Sequence, residues 1–174
     1  IIDIGGESTR PGYEAVSEEE EIDRIAPIIE AAAKRFDIPL SADTYKSAVA
    51  CAAIEAGAHL INDIWGLKGD GKMASLIGRT GVSCCLMHNR KKQDYRDFFE
   101  DYLEDMRATL QLARDAAIPD NRILLDPGVG FAKSHRMNLM VMNRLDKLGA
   151  ITPGLEYPIL LGASRKSVIG HVLD

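Results

Sequence analysis

The sequence predicts an α/β fold of the TIM (β/α)8 barrel kind, and three observations carry that reading. Short apolar runs alternate with longer amphipathic stretches along all 174 residues, the pattern of parallel strands joined by right-handed helical crossovers. The residues with chemical capability fall at the ends of those runs, in "GGESTR", "ADT", "NDI", "LMHN", "LLDPG" and "GASRK". An open doubly wound sheet gathers its site at one switch point, whereas a barrel collects side chains from the carboxyl ends of most strands onto one face. Decorated ends on every run favour the barrel. The third observation is the count, six runs where a barrel has eight. The first run starts at residue 1, and the last helical pattern stops soon after it starts. The expectation is one incomplete barrel of about six β/α units over residues 1–174, cut at both ends, without its first and eighth strands.

The predicted strands are Ile1–Gly5, Ile38–Ala42, His59–Asp63, Val82–Met87, Arg122–Leu125 and Tyr157–Gly162. The first helix lies in "SEEEEIDRIAPIIEAAAKRF", where Ser17 and Glu20 have capping-box spacing. Ile22, Ile25, Ala26, Ile29, Ala32, Ala33 and Phe36 then share one stripe of period 3.6. Pro27 inside this stretch predicts a kink or a lost hydrogen bond. Lys46–Ala56 is the second helix, closed by Gly57, and Lys72–Arg79 a shorter third. Arg96–Ala117 is the longest, with Phe99, Tyr102, Leu103, Met106, Leu110 and Ala113 on its apolar stripe. His135–Leu148 ends at Gly149, and a last helix begins near Ser164.

Composition narrows the class. At 46 % hydrophobic and 27 % charged residues the chain suits one globular core. No apolar run approaches the roughly 18 residues of a membrane span. A net charge of -5 argues against a nucleic-acid binder, which needs a basic face. Cys51, Cys84 and Cys85 are too few and too closely set for a disulfide framework, and they predict reduced thiols and a cytoplasmic location. No spacing suggests a zinc site.

At the strand ends, Thr9 brings a hydroxyl and Arg10 a planar cation suited to carboxylate or phosphate; alone they also fit a solvated loop. Asp43 is either a helix N-cap or a site acid. Asn62, between Ile61 and Asp63, shares a side with Ile64 by alternation and must find polar partners there. Asp126 follows three apolar residues and precedes the Pro127-Gly128 turn. A phosphate-loop reading of "DPGVGFAKS" fails, because G-x-x-x-x-G-K-[ST] needs glycines where Pro127 and Ala132 stand. Ser164, Arg165, Lys166 and Ser167 at a helix start make a plausible anion site. His88 is more often a hydrogen-bonded structural residue than a base, and the mechanism leaves it out. Two acids and an amide converging on one mouth can read a nitrogen-rich heterocycle, with cations at the rim to hold anions.

These ends, in this order, resemble those of the dihydropteroate synthases of the pterin-binding superfamily: "DIGGESTRPG", "SADT", "INDIWG", "LMHN", "DPGVGFAKS" and "GASRKS". "STRPG" together with "SRKS" is the specific part. The resemblance implies a transferase of folate biosynthesis, condensing 6-hydroxymethyl-7,8-dihydropterin pyrophosphate with 4-aminobenzoate to give 7,8-dihydropteroate and pyrophosphate. It implies that Asp43, Asn62, Asp126 and Lys166 bind the pterin, with Ile64, Cys85 and Met87 lining its pocket. Asp43, Asp126 and Lys166 would be the catalytic set. Thr9, Arg10, Pro11, Phe131, Lys166 and Ser167 would meet aminobenzoate, the substrate that sulfonamides mimic in this family. Magnesium is the implied cofactor, its protein ligand in the first strand and none within these residues. The implied partners are small molecules only, and the family's usual state is a homodimer. A folate-dependent corrinoid methyltransferase domain and a non-catalytic pterin-binding module are the alternatives.

Overall fold

The computed structural model describes residues 1–8 and 14–173. Five strands form one sheet: β1 (Ile2–Gly5), β2 (Leu40–Asp43), β3 (Leu60–Asp63), β4 (Ser83–Met87) and β5 (Ile123–Asp126). Their spatial order is their order in the chain, and every pairing is parallel. That is the topology of a barrel arc, in which each crossover moves one strand further the same way. The crossovers carry α1 (Glu18–Arg35), α2 (Ser47–Glu55), α3 (Met73–Thr80) and α4 (Phe98–Asp115). After β5 come α5 (His135–Met142), α6 (Leu145–Gly149) and α7 (Ser167–Leu173).

Strand alternation divides the sheet into two chemically different faces. Ala42, Ile61, Cys84, Leu86, Ile123 and Leu125 are buried in one apolar cluster with Ile25 and Ile29 of α1, Val49 of α2, Ile77 of α3 and Met106 and Leu110 of α4. The other face carries the polar residues. Register sets Gly5 beside Asp43, Asp43 beside Asn62 and Asn62 beside Cys85, and on the next row Met87 beside Asp126.

Helix starts follow local chemistry. Ser17 Oγ accepts from the Glu20 amide at 3.1 Å, and Asp97 caps α4 through the amides of Phe99 and Glu100. The α1 helix continues through Pro27, so the proline removes a backbone donor without ending the helix.

Three expectations need correcting. The run Tyr157–Gly162 is not a strand: it meets the sheet through a single parallel bridge, Leu125 to Ile159. Leu125 N–H donates to Pro158 O at 3.0 Å and Leu160 N–H to Leu125 O at 2.9 Å. Pro158 has no N–H to extend that ladder. The helix expected over His135–Leu148 is two helices, because Arg144 leaves helical geometry at φ -130° and ψ 33°. The last helix starts at Ser167, after Arg165 takes a left-handed φ of 56°.

Candidate active site

The α2 helix begins after Lys46, so Asp43 is no helix cap. It ends β2 on the polar face, and its Oδ1 is buried without a hydrogen-bond partner. Burial pushes its carboxyl up to about 7, helped by the negative charges of Asp3, Glu21, Asp63 and Asp126. Gly5 stands beside it in register, and a Cβ there would lie 3.3 Å from the Asp43 Cβ. A buried carboxylate oxygen with no donor is costly. It is also free to accept from a ligand N–H.

Asn62 and Asp63 part company at the end of β3. Asn62 Nδ2 donates to Asp3 Oδ2 at 3.2 Å, on the same face as Asp43. Asp63 is buried and accepts the amides of Trp65 and Leu67 at 2.8 and 2.7 Å, which builds the following turn. Ile64, Cys85 and Met87 are buried without belonging to the helix-facing cluster.

Asp126 ends β5 and is nearly buried, its Oδ1 accepting the Gly128 amide at 2.7 Å. Burial raises its pKa, and the Gly128 amide, Lys166 and Lys133 pull it back down. A Cβ on Gly162 would lie 3.7 Å from both Asp126 Oδ2 and Lys166 Nζ, so the bare glycine leaves both groups open between them. Lys166 Nζ donates to the Val129 carbonyl and sits 4.9 Å over the Phe131 ring. Burial lowers its pKa, and Asp126 pushes it back up. The structure thus brings Asp126, Lys166 and Phe131 together, and register sets Asp43 beside Asn62. Ser167 is exposed at the first position of α7. Thr9, Arg10 and Pro11 lie outside the described residues.

Sequence reasoning passed over two contributors, Asp3 and Lys133, and read a third, His88, as structural. Asp3 partners Asn62, and only its alternation with Gly5 on the polar face could have marked it. His88 is fully buried, with Nε2 at 3.0 Å from Asp105 and Nδ1 at 2.8 Å from Lys133 Nζ. Burial lowers the imidazole pKa to about 4, so it is neutral, the structural histidine its apolar strand suggests. Lys133 is also buried, and nothing in "GFAKS" announces that.

Among the described residues no group of three or more His, Cys, Asp or Glu could hold a metal ion. Nor is any helix among them long and apolar enough to cross a membrane.

The fold and the strand-end chemistry can be set beside known proteins. The pterin binding enzyme family matches residues 1–174. A dihydropteroate synthase of Clostridium beijerinckii is 56 % identical over 174 residues, which is 100 % of this chain and 63 % of that protein. The solved dihydropteroate synthase of Clostridium difficile, determined in the presence of pteroic acid, superimposes with a TM-score of 0.93 at 44 % identity, covering 99 % of this chain and 64 % of the other. That of Xanthomonas albilineans with 4-aminobenzoic acid gives 0.91 at 38 % identity, covering 98 % and 61 %. The chain thus spans rather less than two thirds of the length of the relatives it matches. With a match along its whole length and a parallel barrel arc carrying the polar strand ends, the chain belongs to the pterin-binding enzyme family.

Proposed function

We propose that this chain is the pterin-binding part of a dihydropteroate synthase. The observation that carries the reading is the unpartnered, buried carboxylate oxygen of Asp43 beside Asn62, on the sheet face that also carries Asp126. Carboxylates accept from the adjacent N–H donors of a pterin, and the Asn62 amide both donates and accepts. Lys166 supplies a cation beside Asp126, and Phe131 an aromatic face under that cation. Thr9, Arg10, Pro11 and Ser167, with Phe131 and Lys166, are assigned to the aminobenzoate. The solved relatives named above, one obtained with pteroic acid and one with 4-aminobenzoic acid, support the substrate class.

In the proposed reaction the bond between the pterin methylene carbon and the pyrophosphate oxygen breaks first, and both electrons leave with pyrophosphate. The amine lone pair of aminobenzoate then forms the new C–N bond, and the amine loses one proton to solvent. Positive charge builds on the pterin methylene between these events. Ionised carboxylates held in a dry pocket stabilise such charge, an effect worth about 3 kcal/mol per well-placed group. A neutral aromatic amine needs no strong base, which fits a site without a nucleophile–base pair. The free thiols fit a reducing, cytoplasmic setting. No observation favours the methyl-transfer alternative.

The test is a calorimetric titration with the pterin pyrophosphate, run beside an Asp126→Ala variant. Binding near micromolar, about -8 kcal/mol, that disappears in the variant supports the reading. A cooperatively folded wild-type chain that gives no heat at millimolar ligand removes it.

A further inference from the structure

The connection from β5 to α5 holds an unusual amount of left-handed backbone: Gly128 at φ 68°, Gly130 at 87° and Ala132 at 46°. Alanine adopts that region only when its surroundings impose it. The side chain of Lys133 turns inward beneath this backbone and is 6 % exposed. Its Nζ donates to Gly128 O at 2.9 Å, Phe131 O at 3.1 Å and His88 Nδ1 at 2.8 Å, with His88 O at 3.4 Å. Two of these acceptors are the loop's own carbonyls, so the loop is wound around one amine. The other two, both of His88, tie it to the end of β4. Asp105, held ionised by Arg90 Nε at 2.6 Å and by His88, accepts the Nε2 proton of the neutral imidazole, which leaves Nδ1 to accept from Lys133. A side chain at position 128 would be 2.0 Å from the His88 carbonyl, so the two strand ends meet without room to spare.

The same loop holds what the site needs. Its Gly128 amide orients Asp126, its Val129 carbonyl receives Lys166, and its Phe131 ring lies under that ammonium. We infer that Lys133 and His88 are positioning residues, an internal clasp that fixes the β5–α5 loop and through it sets Asp126, Lys166 and Phe131 for the ligand. The inference rests on the reading under Proposed function. Neither residue needs to touch substrate. Burial also lowers the Lys133 pKa to about 7, against the raising effect of Asp126 and Asp105 and with the lowering effect of Lys166 and Lys68. An amine buried this deeply is retained where its hydrogen bonds offset the cost of burial.

The test uses Lys133→Met, which keeps the length of the side chain and removes its donors, and His88→Phe, which keeps a ring against Tyr102 and removes the acceptor. Affinity for the pterin pyrophosphate is measured by calorimetry, and amide hydrogen exchange by NMR. In either folded variant the Gly128 and Gly130 amides should lose protection while Cys85 and Leu125 in the sheet keep theirs. Affinity should fall at least about tenfold, toward the roughly 100-fold that an ångström of misplacement can cost. Lys133→Arg, which restores donors, should recover part of both. Affinity within twofold of wild type overturns the inference. So does loss of protection spread evenly over sheet and loop, which would mark a merely structural lysine. If the wild-type chain binds no pterin, the function reading fails, and exchange alone then judges the clasp: unchanged Gly128 and Gly130 protection overturns it, and their selective loss upholds it.

Discussion

Asp43 shows how the site conflicts with stability at the level of one residue. Its carboxyl is pushed to about 7 from an ordinary 3.8, so the folded chain holds that proton more tightly than the unfolded chain does. A group of this kind contributes most below its unfolded pKa, and the contribution is lost as pH rises from about 4 to about 7. Above that range the folded state carries the whole cost of a buried charge among acids. Asp43→Asn removes the charge and keeps the shape. The variant should match wild type at pH 4 and exceed it by on the order of 4 kcal/mol at pH 8, while losing affinity for the pterin pyrophosphate. Urea unfolding at pH 4, 6 and 8 reads this directly. A difference that does not change with pH would show that folding leaves the Asp43 pKa unraised.

At the scale of elements, the links between strands are held by buried charge. Lys46, just before α2, donates at 2.6 Å to Glu7 after β1, to Glu21 in the first turn of α1 and to the Val16 carbonyl. Glu7 also accepts from Tyr45 OH and the Val16 amide. Burial alone would raise the Glu7 pKa, but Lys46 and these hydrogen bonds override it and hold the carboxyl below its ordinary range. With side chains of Glu7 and Glu21 only 3 % and 2 % exposed, Lys46→Met leaves two buried acids unpaired. It should cost about 3–5 kcal/mol in urea unfolding, and adding Glu7→Gln and Glu21→Gln should return part of it. A loss below about 1 kcal/mol, the size of an exposed pair, would mean the acids find water instead. None of this cluster is legible in the sequence, where "DTYKS" reads as a polar helix start and the partners lie 39 and 25 residues away. Lys133 was hidden for the same reason: burial of a lysine is set by what folds around it. Asp43, Asn62 and Asp126 were legible because each ends an apolar run, and strand period then dictates its face. Tyr157–Gly162 has the composition of a strand, but composition cannot supply a neighbour to pair with.

For the whole molecule, the two faces of the sheet differ in chemistry, and β4 carries a thiol on each. Cys84 faces the helices and Cys85 the polar side, and both are fully buried. Burial pushes the Cys84 thiol up to about 12 and raises that of Cys85 as well, chiefly by the same cause. Neither can react as a thiolate in the folded state. Cys51, half-buried on α2, also has a raised pKa from burial and Glu55, but it is within reach of a reagent. Labelling at pH 8 should therefore modify Cys51 first and Cys84 and Cys85 together, at the rate of global opening. The pterin pyrophosphate, which binds only the folded chain, lowers the open population by the factor 1 + [L]/Kd. At a hundred times Kd it should slow both buried thiols about 100-fold and leave Cys51 nearly unchanged. Mass spectrometry of the labelled peptides separates the alternatives. If Cys85 reacts ahead of Cys84, the polar face opens without the helices leaving the sheet, and the arc is two cooperative units rather than one. If both react together but ligand gives no protection, the pterin does not bind at this sheet, and the assignment of Asp43 and Asp126 fails with it.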